Sequence, residues 1–136
     1  MTQDTPTPDD TSAIYPSLRG KRIIVSGGAS GIGEGIVEGF VRQGAAVAFV
    51  DVQEESSKAL VERLSDAPIK PIYQQCDITD CADYGAKIAT FIDQLGGCDA
   101  LVNNAANDDR HKVMDVTPEY WDSRMAVNLK HQFFAA

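Results

Sequence analysis

The sequence predicts an α/β protein, a doubly wound parallel sheet with helices on both faces, truncated after about four strands. Three observations carry this. From residue 22 onward, short apolar runs alternate with amphipathic stretches of helical period. The strand runs are apolar almost throughout, the pattern of strands buried on both faces. A glycine-rich octet, "SGGASGIG", joins the first run to the first helical stretch.

The elements follow in order. "RIIVSG" is a short β-branched run ending in glycine. "GEGIVEGFVRQG" sets Ile36, Val37, Phe40 and Val41 on one helical face and stops at Gly44. "AAVAFVD" is the second strand. "QEESSKALVERLSD" spaces Leu60, Val61 and Leu64 for a helix and ends before Pro68. "KPIYQQCD" is a third strand, weakened by Pro71. The next helix is expected to bury Ile88, Phe91, Ile92 and Leu95 and to stop at Gly96 and Gly97. "CDALVNNA" is the fourth strand. "TPEYWDSRMAVNLKHQFFAA" opens with Thr117 as N-cap, Pro118 at the first helical position and Glu119 next. Right-handed crossovers then wind the sheet in both directions, and such sheets bind ligands beyond the carboxyl ends of their strands. Residues 26–33, 51, 77 and 103–111 fall on that rim.

Bulk properties narrow the function. The 136 residues suggest one domain, taken as residues 18–136, behind a disordered acidic leader over 1–17. A net charge of −8 argues against a nucleic-acid partner, which needs clustered Lys and Arg. No run is long enough for a membrane span, and the N-terminus has no secretory signal, so no membrane partner and a cytoplasmic protein are expected. Cys76, Cys81 and Cys98 form no CxxC pair, so reduced and mostly buried thiols are expected rather than a zinc site. The pattern stops at Ala136 in mid-helix, leaving Val127, Phe133 and Phe134 without a later element to pack on. A fragment is therefore expected, with an apolar edge that aggregates in isolation.

Gly27, Gly31 and Gly33 fit GxxxGxG between strand and helix, the Rossmann-type arrangement. Such a turn brings backbone N–H groups and a helix N-terminus to a pyrophosphate. Ser30, Gly31, Ile32 and Gly33 form its helix-entry side, and no lysine follows as in a nucleoside-triphosphate loop. A simple glycine turn is the alternative. Asp51 closes the second strand, where a carboxylate accepts bonds from the adenine-ribose hydroxyls of NAD and repels the 2′-phosphate of NADP. Val52 and Ser30 bring no cation, which also favours NAD. A helix-capping Asp51 is the competing reading. Asp77 either bonds the adenine amino group while Ile78 covers the ring, or caps the helix that starts near residue 80.

Together these residues resemble the short-chain dehydrogenase/reductase family. GxxxGxG, the strand-two Asp, "DI" after strand three, "NNAA" after strand four and "VN" in the next helix stand in family order over residues 18–136. The resemblance implies hydride transfer between a nicotinamide and an alcohol or carbonyl. It implies a tyrosine acid/base, a lysine that lowers its pKa, a serine, and a helix asparagine that holds a relay water. Only the asparagine carries over, as Asn128 in "AVNLK"; a buried asparagine tying the helix to the sheet is the alternative. The serine and the tyrosine-lysine pair would lie beyond residue 136, so this chain alone is expected to be inactive. Tyr84 and Lys87 do not stand in the family's place. Asn103 is expected to tie the sheet, with Asn104, Ala105 and Ala106 along the cofactor; Ala106 departs from the family's usual glycine.

"SAIYPSLRGKR", "NNAANDDRHK" and "DVTPEYWDSRMAVNLKH" further resemble the family's NAD-dependent sugar 1-dehydrogenases. These oxidise C1 of an aldopentose such as D-xylose to the lactone, and family members form dimers or tetramers. Three readings stand for residues 107–111: a metal site from Asp108, Asp109 and His111; a solvated loop in which Asp108 or Asp109 pairs with Arg110; and a sugar-facing loop led by Asn107 and Arg110. The sugar-facing loop, with no metal, is the expectation. Other short-chain dehydrogenases acting on a polyol or ketone, and a non-catalytic NAD-binding module, remain as alternatives.

Overall fold

In the computed structural model, which describes residues 13–136, four apolar runs form parallel strands. They are β1 (Arg22–Ser26), β2 (Ala46–Asp51), β3 (Ile72–Gln75) and β4 (Ala100–Asn103). Their order in the sheet is β3-β2-β1-β4. Ile24 stands beside Ala48 on one side and Leu101 on the other. The chain winds outward from β1 to β3, then returns across the sheet to β4. The reversal opens a crevice where β1 and β4 diverge at their carboxyl ends. This is the expected Rossmann-type half-sheet.

Strand alternation divides the apolar residues between two faces. Ile23, Val25, Val47 and Phe49 pack with Val37 and Val41 of α1 (Gly31–Arg42) and with Leu60 of α2 (Glu54–Arg63) and Leu64 after it. Ile24, Ala48 and Val50 pack with Tyr84, Ile88 and Phe91 of α3 (Cys81–Leu95). Removing Phe49 or Phe91, both fully buried, would cost about 3–5 kcal/mol.

Helix α3 begins at Asp80, whose carboxylate accepts from Asp83 N at 3.0 Å, and ends at Gly96 with φ 75°. Its buried stripe is Tyr84, Ile88 and Phe91, whereas Ile92 is 41% exposed. Ile88 and Phe91 are buried as expected and Leu95 packs partly buried against the same cluster, while Ile92 turns outward and Tyr84 extends the stripe by one turn. A helix on a twisted sheet presents positions i, i+4 and i+7, and Tyr84 supplies the first of them.

Thr117 caps α4 (Pro118–Met125), its hydroxyl accepting from Tyr120 N at 3.1 Å. The expected continuous helix is broken by a π turn over Ala126–Lys130 before α5 (His131–Ala135). Val127 in that turn is half-buried against the α3-side core, contrary to the expectation that it lacks a partner. Phe133 and Phe134 do stand exposed, their rings edge to face at 5.3 Å.

Residues 1–12, most of the expected leader, lie outside the described residues. Its last part is docked: Gln43 accepts from Tyr15 N at 2.8 Å and donates to Ala13 O at 2.9 Å. At the start of β1, Arg22 makes a forked pair with Asp99 and donates to Gly96 O. This holds the Asp99 carboxyl well below the usual carboxylate range. The pair fixes the start of β4 beside the start of β1.

The thiols differ from the expected mostly buried set. Cys76 is buried, Cys81 is half-buried and Cys98 is exposed. Burial, with Asp83 nearby, pushes the Cys76 thiol up to about 12. The thiolate is the reactive form. Brief treatment of the native chain with iodoacetamide should therefore label Cys98 first and spare Cys76 until denaturant is added. Peptide mass spectrometry checks this, and equal native labelling of both would contradict the packing.

Candidate active site

The crevice is built by the turn after β1. Gly27, with φ 70°, turns the chain, and its N–H donates to Val50 O at 2.8 Å. The turn leads into α1, where Gly33 lies against the turn itself. A Cβ on residue 33 would stand 1.7 Å from Gly27 O, so only glycine allows this approach. Ser30 occupies the N-cap of α1 without a side-chain bond to the first turn. Its hydroxyl accepts instead from Gln53 Nε2 at 3.1 Å. The N-terminal N–H groups and the positive end of the helix dipole thus face the crevice, ready for an anion.

The turn after β4 is stitched to this glycine turn. Asn104 Nδ2 donates to Ser26 O at 3.1 Å and to Gly27 O at 2.9 Å. Ser26 Oγ accepts from the N–H groups of Asn104 and Ala105, each at 3.1 Å. The tie expected of Asn103 is therefore made by Asn104. Asn103 still belongs to β4 and is exposed at the sheet edge. One residue further, the chain leaves the strand and an amide side chain can reach across to β1. Behind the turn, fully buried His131 donates from Nε2 to Ala105 O at 3.1 Å. A carbonyl only accepts, so Nε2 carries the proton. Burial lowers the imidazole pKa below its ordinary value.

Asp51 is 8% exposed, and its two oxygens accept from Ala29 N and Gln53 N, each at 2.9 Å. Gln53 holds the N-cap position of α2, so Asp51 braces the loop ahead of the helix rather than capping it. Asp77 accepts from the N–H and the hydroxyl of Thr79 at 2.9 and 2.7 Å. Asp80 takes the capping role on α3, so the capping alternative for Asp77 fails. Ile78 is buried beside it at 7% exposure.

These groups line one cavity of about 500 Å³. Gly27, Ser30, Gly31, Ile32, Gly33, Asp51, Asp77, Ile78, Asn104, Ala105 and Ala106 all border it. So do Gln53, which the sequence did not single out, Asp108, weighed there as a metal ligand or an ion-pair partner of Arg110, and Val127, expected there to lack a packing partner. Gln53 follows the strand-two acid by two residues, a spacing that can signal a loop facing the same cleft. No Lys or Arg is among the lining residues.

The other candidates stand differently. Asn128 lies in the π turn, a distortion that often marks functional positions. Its side chain clamps the main chain of Asn107, accepting from the N–H at 2.8 Å and donating to the carbonyl at 3.0 Å. It ties the helix to the loop after β4 rather than to the sheet. The Asn107 side-chain oxygen accepts from Asp109 N at 2.9 Å. Arg110 is exposed, and neither Asn107 nor Arg110 borders the cavity. The ion pair expected within the loop is also different: Asp109 meets Arg124 of α4 at 3.5 Å, because the turn closed by Asn107 directs it towards the helix. Tyr84 is 1% exposed in the core of α3 and Lys87 pairs with Asp83 one turn earlier, so this pair takes no part in the site.

A family model described as short chain dehydrogenase matches residues 21–136. The D-xylose 1-dehydrogenase of Caulobacter vibrioides is 52% identical over 124 residues, covering 91% of this chain and 48% of that protein. A "Probable galactose dehydrogenase" of Rhizobium meliloti is 44% identical over 124 residues, covering 90% and 48%. A solved short chain dehydrogenase from Burkholderia cenocepacia in complex with NADP matches with a TM-score of 0.82 at 30% identity, covering 87% of this chain and 49% of that one. The chain spans about half the length of these relatives. The glycine turn, the acid closing β2 and the asparagine in the π turn agree with the match over most of the chain: it belongs to the short-chain dehydrogenase family.

Proposed function

We propose that this chain is the cofactor-binding, N-terminal part of an NAD-dependent aldose 1-dehydrogenase, which moves a hydride from C1 of a D-xylose-like sugar to NAD and yields the lactone. The observation that carries the cofactor reading is Asp51, a nearly buried carboxylate on the wall of a cleft without a lining cation. The relatives named as xylose and galactose dehydrogenases support the sugar reading.

A dinucleotide fits the residues present. The uncapped N-terminus of α1 suits a pyrophosphate, and Asp51 suits vicinal ribose hydroxyls. Asp77 and the buried Ile78 suit the adenine end, while Ala105 and Ala106 border the end nearest β4. When bound, the nicotinamide supplies the hydride acceptor. This chain's residues bind and orient it, and Asn128 fixes the loop that follows β4. The proton-handling serine, tyrosine and lysine that the family implies belong to the part beyond residue 136. The whole enzyme is proposed to be cytoplasmic and a homodimer or homotetramer. Among the described residues, no helix is long and apolar enough to cross a membrane.

The test assays the complete enzyme with xylose, arabinose, galactose, sorbitol and a keto-ester, each with NAD and NADP. Xylose with NAD should give the highest kcat/KM. Residues 1–136 alone should give no turnover. Preference for the polyol or the keto-ester would reject the sugar reading, and turnover by 1–136 would reject the division of labour.

A further inference from the structure

We propose that Asp108, rather than Asn107 or Arg110, is the residue of the β4–α4 loop that recognises a sugar hydroxyl, and that Tyr120 and Arg124 are positioning residues that hold it there. This rests on the aldose reading above.

The loop is fastened to the following helix by a ladder of three rungs. Asn128 clamps the main chain of Asn107 at 2.8 and 3.0 Å. Arg124 reaches the Asp109 carboxylate at 3.5 Å. Tyr120 Oη stands 2.9 Å from His111 Nδ1, with the two rings edge to face at 4.8 Å. The Arg124 guanidinium also lies 4.7 Å from the Tyr120 ring centroid, so the second and third rungs brace each other.

The register explains the ladder. Loop residues 107, 109 and 111 are two apart, and helix residues 128, 124 and 120 are four apart. Two residues of non-helical chain cover about 6.5 Å, and four residues of helix rise about 6 Å. Each step along the loop therefore meets the next turn of the helix, running the opposite way. The odd-numbered residues are spent on this contact. The even-numbered residues are free of it, and Asp108 borders the cofactor cavity together with Ala106 and Val127. Asp108 is also exposed, so its carboxylate is open to a ligand in the cleft.

A carboxylate at this place suits a polyhydroxylated substrate. It accepts hydrogen bonds from sugar hydroxyls, and a bond to an ionised acceptor is stronger than one between neutral groups. Arg110, at the next even position, does not border this cavity.

In the complete enzyme, Asp108→Ala should raise the KM for xylose by about 10- to 100-fold, with a smaller change in kcat and an unchanged KM for NAD. Asp108→Asn, close in shape, should retain part of the affinity. Tyr120→Phe, which removes only the hydroxyl facing His111, should raise the sugar KM in the same direction but less. In the Asp108→Ala background it should add little, because both changes act through one contact. Wild-type activity on xylose with an unchanged sugar KM in Asp108→Ala would reject the inference alone. An equal rise in the KM for NAD would assign Asp108 to the cofactor instead and reject it too. A wild-type enzyme inactive on every aldose would reject the function reading and this inference together.

Discussion

Gly33→Ala should abolish cofactor binding and strongly destabilise the chain. The added methyl would stand 1.7 Å from Gly27 O, 2.8 Å from Gly27 C and 2.6 Å from Asn104 Nδ2. Two of these are backbone atoms that no side-chain rotation can move aside. Either α1 shifts away from the sheet or the glycine turn opens. Gly27 O is also an acceptor for Asn104, so an opened turn loses the bonds that join it to the end of β4. Overpacking of this kind costs about 1–3 kcal/mol, and each lost bond adds about 1 kcal/mol. The sum is a large share of the ~5–15 kcal/mol that stabilises a domain. Gly35→Ala is the matched control, two residues further along α1. A Cβ there meets nothing within 4 Å, and the residue is helical. That change should stabilise by about 0.5–1 kcal/mol, because alanine loses less backbone freedom on folding. Thermal melts and calorimetric titration with NAD, run on both variants of the complete enzyme, check the pair. NAD binding by Gly33→Ala at wild-type strength would show that the turn is not the cofactor's cradle.

Residue 33 also shows which features the sequence makes legible. The glycine spacing, the strand runs and the helix starts are local, so they can be read without knowing what lies across the fold. The Thr117 cap and the Gly96 stop are of this kind. What stayed hidden depended on partners distant in sequence. Asp109 has Arg110 next to it in the chain, yet it meets Arg124 because the Asn107 turn directs it to α4. Asn103 and Asn104 are equivalent as letters, but only the second lies past the strand and reaches β1. Tyr84 has the size for a core position and a hydroxyl that argues against one; the packing of α3 on the sheet decides it. The π turn has no glycine or proline to announce it. It places Asn128 opposite Asn107, so the contact between helix and loop accompanies a distortion that no helical period predicts.

Asp51→Asn should largely remove the expected preference for NAD over NADP. The aspartate carboxylate cannot swing away from a ribose phosphate, because Ala29 N and Gln53 N each hold one of its oxygens at 2.9 Å. With the group 8% exposed, water screens its charge poorly. A 2′-phosphate would therefore be brought against a fixed negative charge. No Lys or Arg among the lining residues offsets it. Hydroxyl bonds to a charged acceptor are worth about 1.5–3 kcal/mol, so losing the charge alone should lower kcat/KM with NAD by about 10- to 100-fold. The same change removes the repulsion of NADP, so the NAD/NADP ratio should fall by more than the NAD value itself. Asparagine keeps one acceptor for the two backbone donors, whereas Asp51→Ala leaves both without one, at about 1–3 kcal/mol for each unsatisfied buried group. The alanine variant should therefore melt lower than the asparagine variant although both have lost the charge. If the loss of stability appears and the NAD/NADP ratio does not move, Asp51 only braces the glycine turn against the β2–α2 loop. If the ratio falls in both variants and alanine loses more stability than asparagine, the same carboxylate performs both tasks: its position is set by two backbone donors, and its charge selects the dinucleotide.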